Sequence, residues 1–350
     1  MMNILLIAPN WLGDLIMSQS LIKWLKIHYK PQKIDMLAPK SIADAVIRMP
    51  EVNQVISHNW QSGKLNLAER FKCAKKIQNR YDWAIILPVS FKSALIPAFA
   101  KIPKRTGFLG ECRYGLINDV IDAPHKLGKN KNLTQRAIYL SLLKVNEMQL
   151  SEKEKQQIIP QLEVDAVNQN RLNPEFQINP NKKLIAFAMG SNYGQAKRWS
   201  IANFGSLAQK LIEQNCQILL LGSNKERQLA VDFLKNKKID PKQVIDAIGK
   251  NSLAKSLDLL SLCSVLVSND SGLMHVANAL KVKTIIIYGS SSPVFTPPLA
   301  HNESQATIFK SNLPCAPCFE RTCRYSHYNC LKQTTDDMVA IAVKKMALTQ

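Results

Sequence analysis

Apolar positions along this chain fall into two alternating kinds of pattern. Short continuous runs suit buried strands, and longer stretches with apolar positions three and four apart suit amphipathic helices. Ile4 to Ala8 is the first run. Leu15 to His28 follows, with apolar residues at 15, 16, 21, 22, 24, 25 and 27, and is expected to be a helix. Further strands are expected at Ile34–Leu37, Val55–Ser57 and Ala84–Leu87, with a basic helix at Ala68–Asn79. Phe91–Ala100 reads as an apolar helix, and a basic turn over 101–105 leads to another strand. Glu111–Gly115 reads as a loop and Asn132–Leu150 as a long helix.

From Ser151 to Lys183 polar residues dominate, with prolines at 160, 174 and 180, so the domain linkage is expected there. Leu162–Val164 is a candidate edge strand within it. The alternation then restarts. Strands are expected at Lys183–Ala188, Gln217–Leu221, Val244–Ile245, Val265–Ser268 and Thr284–Tyr288. Helices are expected at Ile201–Gln214, Arg227–Leu234, Ser252–Cys263, Leu273–Leu280 and Asp336–Leu348. Strand and helix in strict alternation imply doubly wound α/β domains, here two of similar size. No period is short enough for a solenoid.

In such sheets ligands gather beyond the carboxyl ends of the strands. Asn269-Asp270-Ser271-Gly272 stands at one of these ends, just before a helix. The free N–H groups of a helix start bind phosphate, Gly272 lets an anion approach, and Ser271 adds a hydroxyl. The same residues also suit an ordinary helix cap. His275, one turn further on, is placed to look toward the same opening, although a single helical histidine often serves only packing. Gly13-Asp14 occupies the corresponding strand-to-helix turn of the first half. It is not a G-x-G-x-x-G fingerprint, which argues against a dinucleotide-dependent oxidoreductase. Asp14 suits either a cap or a carboxylate at the mouth of a cleft. Lys197 lies in the loop after the first strand of the second half, at the same sheet edge as Asp270. It reads equally as a cation for a diphosphate or as a solvated loop lysine.

Composition narrows the class. Of 350 residues, 46% are hydrophobic and 21% charged, which are globular values. No apolar run reaches 18 residues, so no spanning helix is expected. The start Met1-Met2-Asn3 leads straight into a strand, without a signal-peptide pattern, and a cytoplasmic location is the expectation. The 46 basic and 26 acidic side chains give a net charge of +20, a field that attracts nucleic acid, an anionic membrane face or phosphorylated substrates. Aromatic residues are only 7% and no recognition motif appears, which disfavours nucleic acid. Cys73, Cys112, Cys216 and Cys263 are scattered, whereas Cys315, Cys318, Cys323 and Cys330 are clustered around His327. A C-x2-C with two further cysteines could hold zinc. The second pair is widely spaced, so a reduced, loop-stabilising cluster without metal is the expectation.

Four stretches, in order, resemble the ADP-heptose–lipopolysaccharide heptosyltransferases (glycosyltransferase family 9). They are Ala8–Ser20; Ser90–Ala94 with Arg105-Thr106-Gly107 and Arg113–Leu116; Gly194–Trp199; and Asn269–His275 with Tyr288–Pro293. The resemblance implies a GT-B fold, with two Rossmann-like domains facing across a cleft. Its boundaries would be 1–165 for an acceptor domain, 178–333 for a nucleotide-sugar domain, and 334–350 for a helix returning to the first domain. It implies ADP-heptose as donor, a lipopolysaccharide inner-core acceptor and no further cofactor. The matched positions are Lys197 for the diphosphate, Asp270, Ser271, Gly272, Leu273 and His275 around the nucleotide sugar, and Asp14, beside Gly13, as general base. Met17–Ser20 and Phe91-Lys92-Ser93 favour the branch that extends heptose I over the one that acts on Kdo. Lys92, Arg105 and Arg113, with Lys101 and Lys104, become candidate acceptor or membrane contacts. The loop before the lysine departs from the family's Pro-Gly-Ala-Glu, reading Met189-Gly190-Ser191-Asn192. After Gly222, Asn224 and Glu226 are rival polar candidates. The chain has no Asp-x-Asp, so metal-independent transfer is expected.

Overall fold

Parallel strands with both faces covered require nearly continuous apolar runs, and the longest runs of this chain become its central strands. The computed structural model describes residues 2–60, 63–122, 133–235 and 239–348. The first half contributes β1 (Asn3–Ile7), β2 (Lys33–Pro39), β3 (Gln54–His58), β4 (Trp83–Ile86), β5 (Lys104–Phe108) and β6 (Asp119–Ile121). The second contributes β7 (Lys183–Ala188), β8 (Cys216–Leu220), β9 (Val244–Asp246), β10 (Val265–Asn269), β11 (Lys283–Tyr288) and β12 (Ala306–Lys310). The sheets run β3-β2-β1-β4-β5-β6 and β12-β11-β10-β7-β8-β9. Every pairing is parallel. Counted within its own half, each sheet has the strand order 3-2-1-4-5-6 of a Rossmann fold.

This order fixes where chemistry belongs. The first and fourth strands of each sheet are neighbours, and the chain leaves them in opposite directions. The crevice beyond their carboxyl ends is the topological switch point. In the first sheet it lies beyond β1 and β4, and in the second beyond β7 and β10.

The chain divides into compact units at Met1–Leu162 and Glu163–Gln350. The terminal helix Asp336–Val343 and the turn Lys344–Leu348 that continues it fall within the second unit. Val339, Val343 and Met346 enter the same core as Phe204, Leu207 and Leu211 of the helix Ile201–Glu213. Lys210 on that helix pairs with Asp336 at 2.6 Å and also with Asp337. Trp199 Nε1 donates to the Thr334 carbonyl at 2.8 Å. The helix therefore closes an open flank of its own sheet.

Other expectations change for local reasons. Leu162–Val164 forms no strand. The polar stretch after it folds into the helix Ala166–Glu175, which is fastened to its own unit. Asp258 accepts from the Asp165 backbone N–H and from Asn168 Nδ2, at 3.2 and 2.5 Å. The expected long helix begins at Asn132, outside the described residues. Its described part is the helix Gln135–Ser141 and a single 3₁₀ turn at Glu147–Gln149. Lys144, at φ 60°, interrupts it, and Asn146 Oδ1 caps the turn through the Met148 N–H at 3.1 Å. The helix Lys40–Ile47 was not foreseen.

Candidate active site

In the second unit β10 ends at Asn269, and the helix Gly272–Ala279 begins after Asp270 and Ser271. Ser271 is the N-cap residue, but its side chain makes no cap hydrogen bond. Its hydroxyl lies 3.0 Å from Ser268 Oγ instead. The first-turn N–H groups are thus left without a side-chain cap, as an anion site requires. Ser271, Gly272 and Leu273 are half-buried.

Asp270 is 4% exposed. Its Oδ2 meets Lys197 Nζ at 2.5 Å, and its Oδ1 accepts from Thr296 Oγ1 at 3.2 Å. Lys197 also lies over the Tyr193 ring, 4.8 Å from its centroid. An ammonium carries three hydrogens, so one bond to Asp270 leaves others for a phosphate. The loop carrying Lys197 is set by Asn269, which is fully buried at the strand end. Asn269 Oδ1 accepts from the Trp199 N–H at 2.9 Å, and its Nδ2 donates to the Met189 carbonyl at 2.7 Å. Further support comes from the loop after β11, where the Ser290 N–H donates to the Ala196 carbonyl at 3.0 Å. Thr296 is held in turn by Tyr288, whose hydroxyl donates to the Thr296 carbonyl at 2.6 Å.

Of the two candidates after Gly222, Glu226 is the one at this edge. Its carboxylate accepts from the Ser223 N–H at 2.7 Å and from the Ser223 hydroxyl at 2.8 Å. It presses so close to Gly190 that a Cβ there would stand 1.5 Å from Glu226 Oε1, so any side chain at 190 would displace the Glu226 carboxylate. Asn224 packs against Gly249 instead. The carboxylate missing at Asn192 thus has a neighbour of the same charge a short way along the sheet edge.

The helix Leu12–His28 starts beyond β1 with Trp11 at its N-cap. Gly13 and Asp14 are its second and third residues and are half-buried. Asp14 is therefore not the cap but a first-turn acid, where the helix dipole favours it. Its charge reaches the buried Tyr139 and, with burial as the larger cause, raises that phenol well above its ordinary pKa. In Met17–Ser20, Gln19 is structural. It bonds Glu51 at 2.8 Å and both backbone groups of Gln161, at 2.6 and 3.0 Å.

The expected acceptor contact at Arg113 is corrected. Arg113 is 0% exposed, and its guanidinium donates to the carbonyls of Pro88, at 2.7 Å, and Phe108. Burial pushes its pKa down to about 10. Arg105 donates to the Leu116 and Ile102 carbonyls at 2.8 and 2.7 Å. Both arginines brace the loops beyond β4 and β5. Lys92 remains half-buried on the helix Phe91–Phe99.

His275 is 4% exposed and its Nδ1 has no hydrogen-bond partner. Burial, and less strongly Lys197, pushes its pKa down to about 4, against the pull of Asp270. It is neutral at pH 7. An unfolded histidine titrates near 6.5, so the folded state gains stability from this group in full above that pH. The gain is lost as pH falls toward 4, amounting to about 2 kcal/mol at pH 5. Urea midpoints should fall between pH 7 and pH 5, and the fall should be smaller in His275→Asn. Equal falls in both proteins would show that His275 does not carry the effect.

Sequence reasoning reached Lys197, Asp270, Ser271, Gly272 and His275, and the fold brings Lys197, Asp270 and His275 together. It missed Thr296 and Tyr193, which reach the site from loops with no motif of their own. Among the described residues no helix is long and apolar enough to cross a membrane.

Residues 70–329 match the family model described as glycosyltransferase family 9 (heptosyltransferase). The chain is 38% identical over 304 residues to lipopolysaccharide heptosyltransferase 2 of Salmonella typhimurium, with 86% of each chain covered. Lipopolysaccharide heptosyltransferase 1 of Pseudomonas aeruginosa is 32% identical over 148 residues, 42% of this chain. The solved structure of E. coli ADP-heptose lps heptosyltransferase II is similar with a TM-score of 0.82 and 33% identity, covering 99% of both chains. The fold is accordingly of the GT-B class, and the chain belongs to glycosyltransferase family 9, the heptosyltransferases.

Proposed function

We propose that the chain transfers L-glycero-D-manno-heptose from ADP-heptose to the first heptose of the lipopolysaccharide inner core, with inversion. The observation that carries this reading is the Lys197–Asp270 pair at an uncapped helix start, at the switch point of the second sheet. The diphosphate takes the remaining Lys197 hydrogens and the N–H groups of Ser271 and Gly272. Asp270, Leu273 and His275 orient the rest of the nucleotide sugar.

In the reaction the acceptor hydroxyl attacks the anomeric carbon as the bond to the ADP oxygen breaks on the opposite face. Asp14 takes the hydroxyl proton, and ADP leaves with the bonding electrons. The charge growing on ADP meets hydrogen-bond donors already in place. Each such bond to a charged group is worth about 1.5–3 kcal/mol. No cofactor beyond the donor sugar is invoked. Lys92 and the wider basic surface attract the phosphates and carboxylates of the acceptor and the anionic leaflet that carries it. The enzyme works in the cytoplasm, in peripheral contact with that leaflet.

The direct test measures ADP release from ADP-heptose with two defined acceptors, one ending in heptose I and one ending in Kdo. Turnover is expected with the first, and it should persist in EDTA without added Mg²⁺ or Mn²⁺. Preference for the Kdo acceptor would reassign the chain to the other branch of the family. Loss of activity in EDTA with rescue by Mg²⁺ would overturn the metal-independent mechanism.

A further inference from the structure

The Lys197–Asp270 pair leaves a question of charge at the donor site. Its members meet at 2.5 Å, so together they bring no net charge to a ligand. The diphosphate of a sugar nucleotide is negative on both phosphates, and ADP gains further charge as it leaves. The N–H groups of a helix start supply only partial positive charge. A second full cation is needed beside Lys197.

The structure sets one on the same aromatic ring. Tyr193 and Lys197 belong to the loop after β7, and Lys197 Nζ lies over the Tyr193 ring, 4.8 Å from its centroid. The Arg321 guanidinium lies over that ring as well, 5.4 Å from the centroid. The two cations are therefore no farther apart than these two distances combined. One diphosphate crosses that span with a hydrogen bond at each end. Like charges held on one ring repel, and an anion between them turns the repulsion into attraction.

Arg321 is fixed there by its main chain. Residues 311–328 run from β12 to the short helix Asn329–Lys332 without a helix or strand of their own, and none of them is buried. Irregular segments longer than about 12–15 residues are uncommon in compact domains, and functional loops are a main class of them. This one is fastened to the loop that carries Lys197. The Ala196 N–H donates to the Arg321 carbonyl at 3.0 Å, and the Phe319 N–H donates to the Ser290 carbonyl at 2.7 Å. The Tyr193 hydroxyl donates to the Phe319 carbonyl at 2.5 Å. A Cβ on Gly194 would stand 2.3 Å from the Arg321 carbonyl oxygen, so a side chain at 194 would push Arg321 out of place. Arg321 itself is exposed, and among the described residues no carboxylate pairs with it.

We propose that Arg321 binds the diphosphate of the donor together with Lys197. Its planar fork donates parallel N–H bonds to two phosphate oxygens, which the point charge of a lysine does not. As the bond to ADP breaks, the electron pair stays on the phosphate oxygen, and Arg321 is a full positive charge already in place for it. The inference rests on the donor-site reading above and adds to it a residue that no motif marks.

The test is ADP titration of wild type, Arg321→Gln, Arg321→Lys and Lys197→Met at low and high salt, with urea unfolding of each protein. Arg321→Gln should bind ADP about ten-fold more weakly, the effect of one lost hydrogen bond to a charged phosphate. Its urea midpoint should stay in place, because the side chain is exposed. Its affinity should also depend less steeply on salt than that of wild type, because a screened charge pair has gone. Arg321→Lys keeps the charge without the fork, so it should recover the salt dependence and part of the affinity. An arginine that only packs on Tyr193 would leave the salt dependence of Arg321→Gln unchanged, and that result would overturn the proposal. So would wild-type ADP affinity in Arg321→Gln. Lys197→Met separates the two levels of the reading. If it also binds ADP as wild type does, the donor site falls and Arg321 with it. If it binds weakly while Arg321→Gln binds normally, only the role of Arg321 is lost.

Discussion

Asp14→Asn is expected to lower the rate of heptosyl transfer by about 10²–10⁴-fold, the usual contribution of a positioned general base. Asparagine keeps the shape of the side chain but cannot take the acceptor proton. Asp14 is the third residue of the helix Leu12–His28, where losing a favourable first-turn charge costs only about 0.3–1 kcal/mol. Stability should thus change little while turnover collapses. The fall should appear in kcat with little change in the KM for ADP-heptose, because the donor sugar is assigned to other residues. Steady-state ADP release and a urea titration on the same preparation separate the two effects. Unchanged turnover, or a rate loss matched by unfolding, would remove Asp14 from the base role.

The parts of the fold that were readable in sequence share a physical cause. Ile4–Ile7 and Ile285–Ile287 are buried on both sides of their sheets, so they are written as unbroken apolar runs. The edges were harder. Asp119-Val120-Ile121 and Ala306–Lys310 become β6 and β12, but edge strands are half solvated and carry polar residues that blur the pattern. The terminal helix shows a related limit. Its apolar face announces that it packs, but not on which sheet, and the core beside Phe204 and Leu207 decided that.

The candidate site was legible where its residues are consecutive. Asn269 to His275 spans a strand end and a helix start, so local pattern alone placed it at the sheet edge. Thr296 and Tyr193 were not legible, because their value depends on chain returns of 26 residues to Asp270 and 4 residues to Lys197 respectively. Arg113 was misread for the opposite reason. A basic residue near a glycine loop resembles a surface anion contact, and only its burial and the carbonyls gathered around its guanidinium show it to be a brace.

The second large effect concerns the ion pair under the proposed diphosphate site. Lys197 and Asp270 have side-chain exposures of 13% and 3%, so each charge depends on the other. Lys197→Met leaves Asp270 buried with Thr296 as its remaining hydroxyl partner, and stability should drop by about 3 kcal/mol, the low end for a broken buried pair. Asp270→Asn strands the ammonium instead, with a smaller loss because Lys197 is the more exposed partner. The double variant Lys197→Met/Asp270→Asn has no charge left to strand. Its stability should return to within about 1 kcal/mol of wild type, since replacing both members of such a pair is often close to neutral. Transfer should not return with it. The diphosphate has lost a charged hydrogen bond worth about 1.5–3 kcal/mol, which corresponds to roughly 10–100-fold weaker ADP binding. Urea unfolding and ADP titration of all four proteins complete the cycle. A double variant that recovers ADP affinity along with stability would make the pair a structural clasp and leave the diphosphate without its proposed cation.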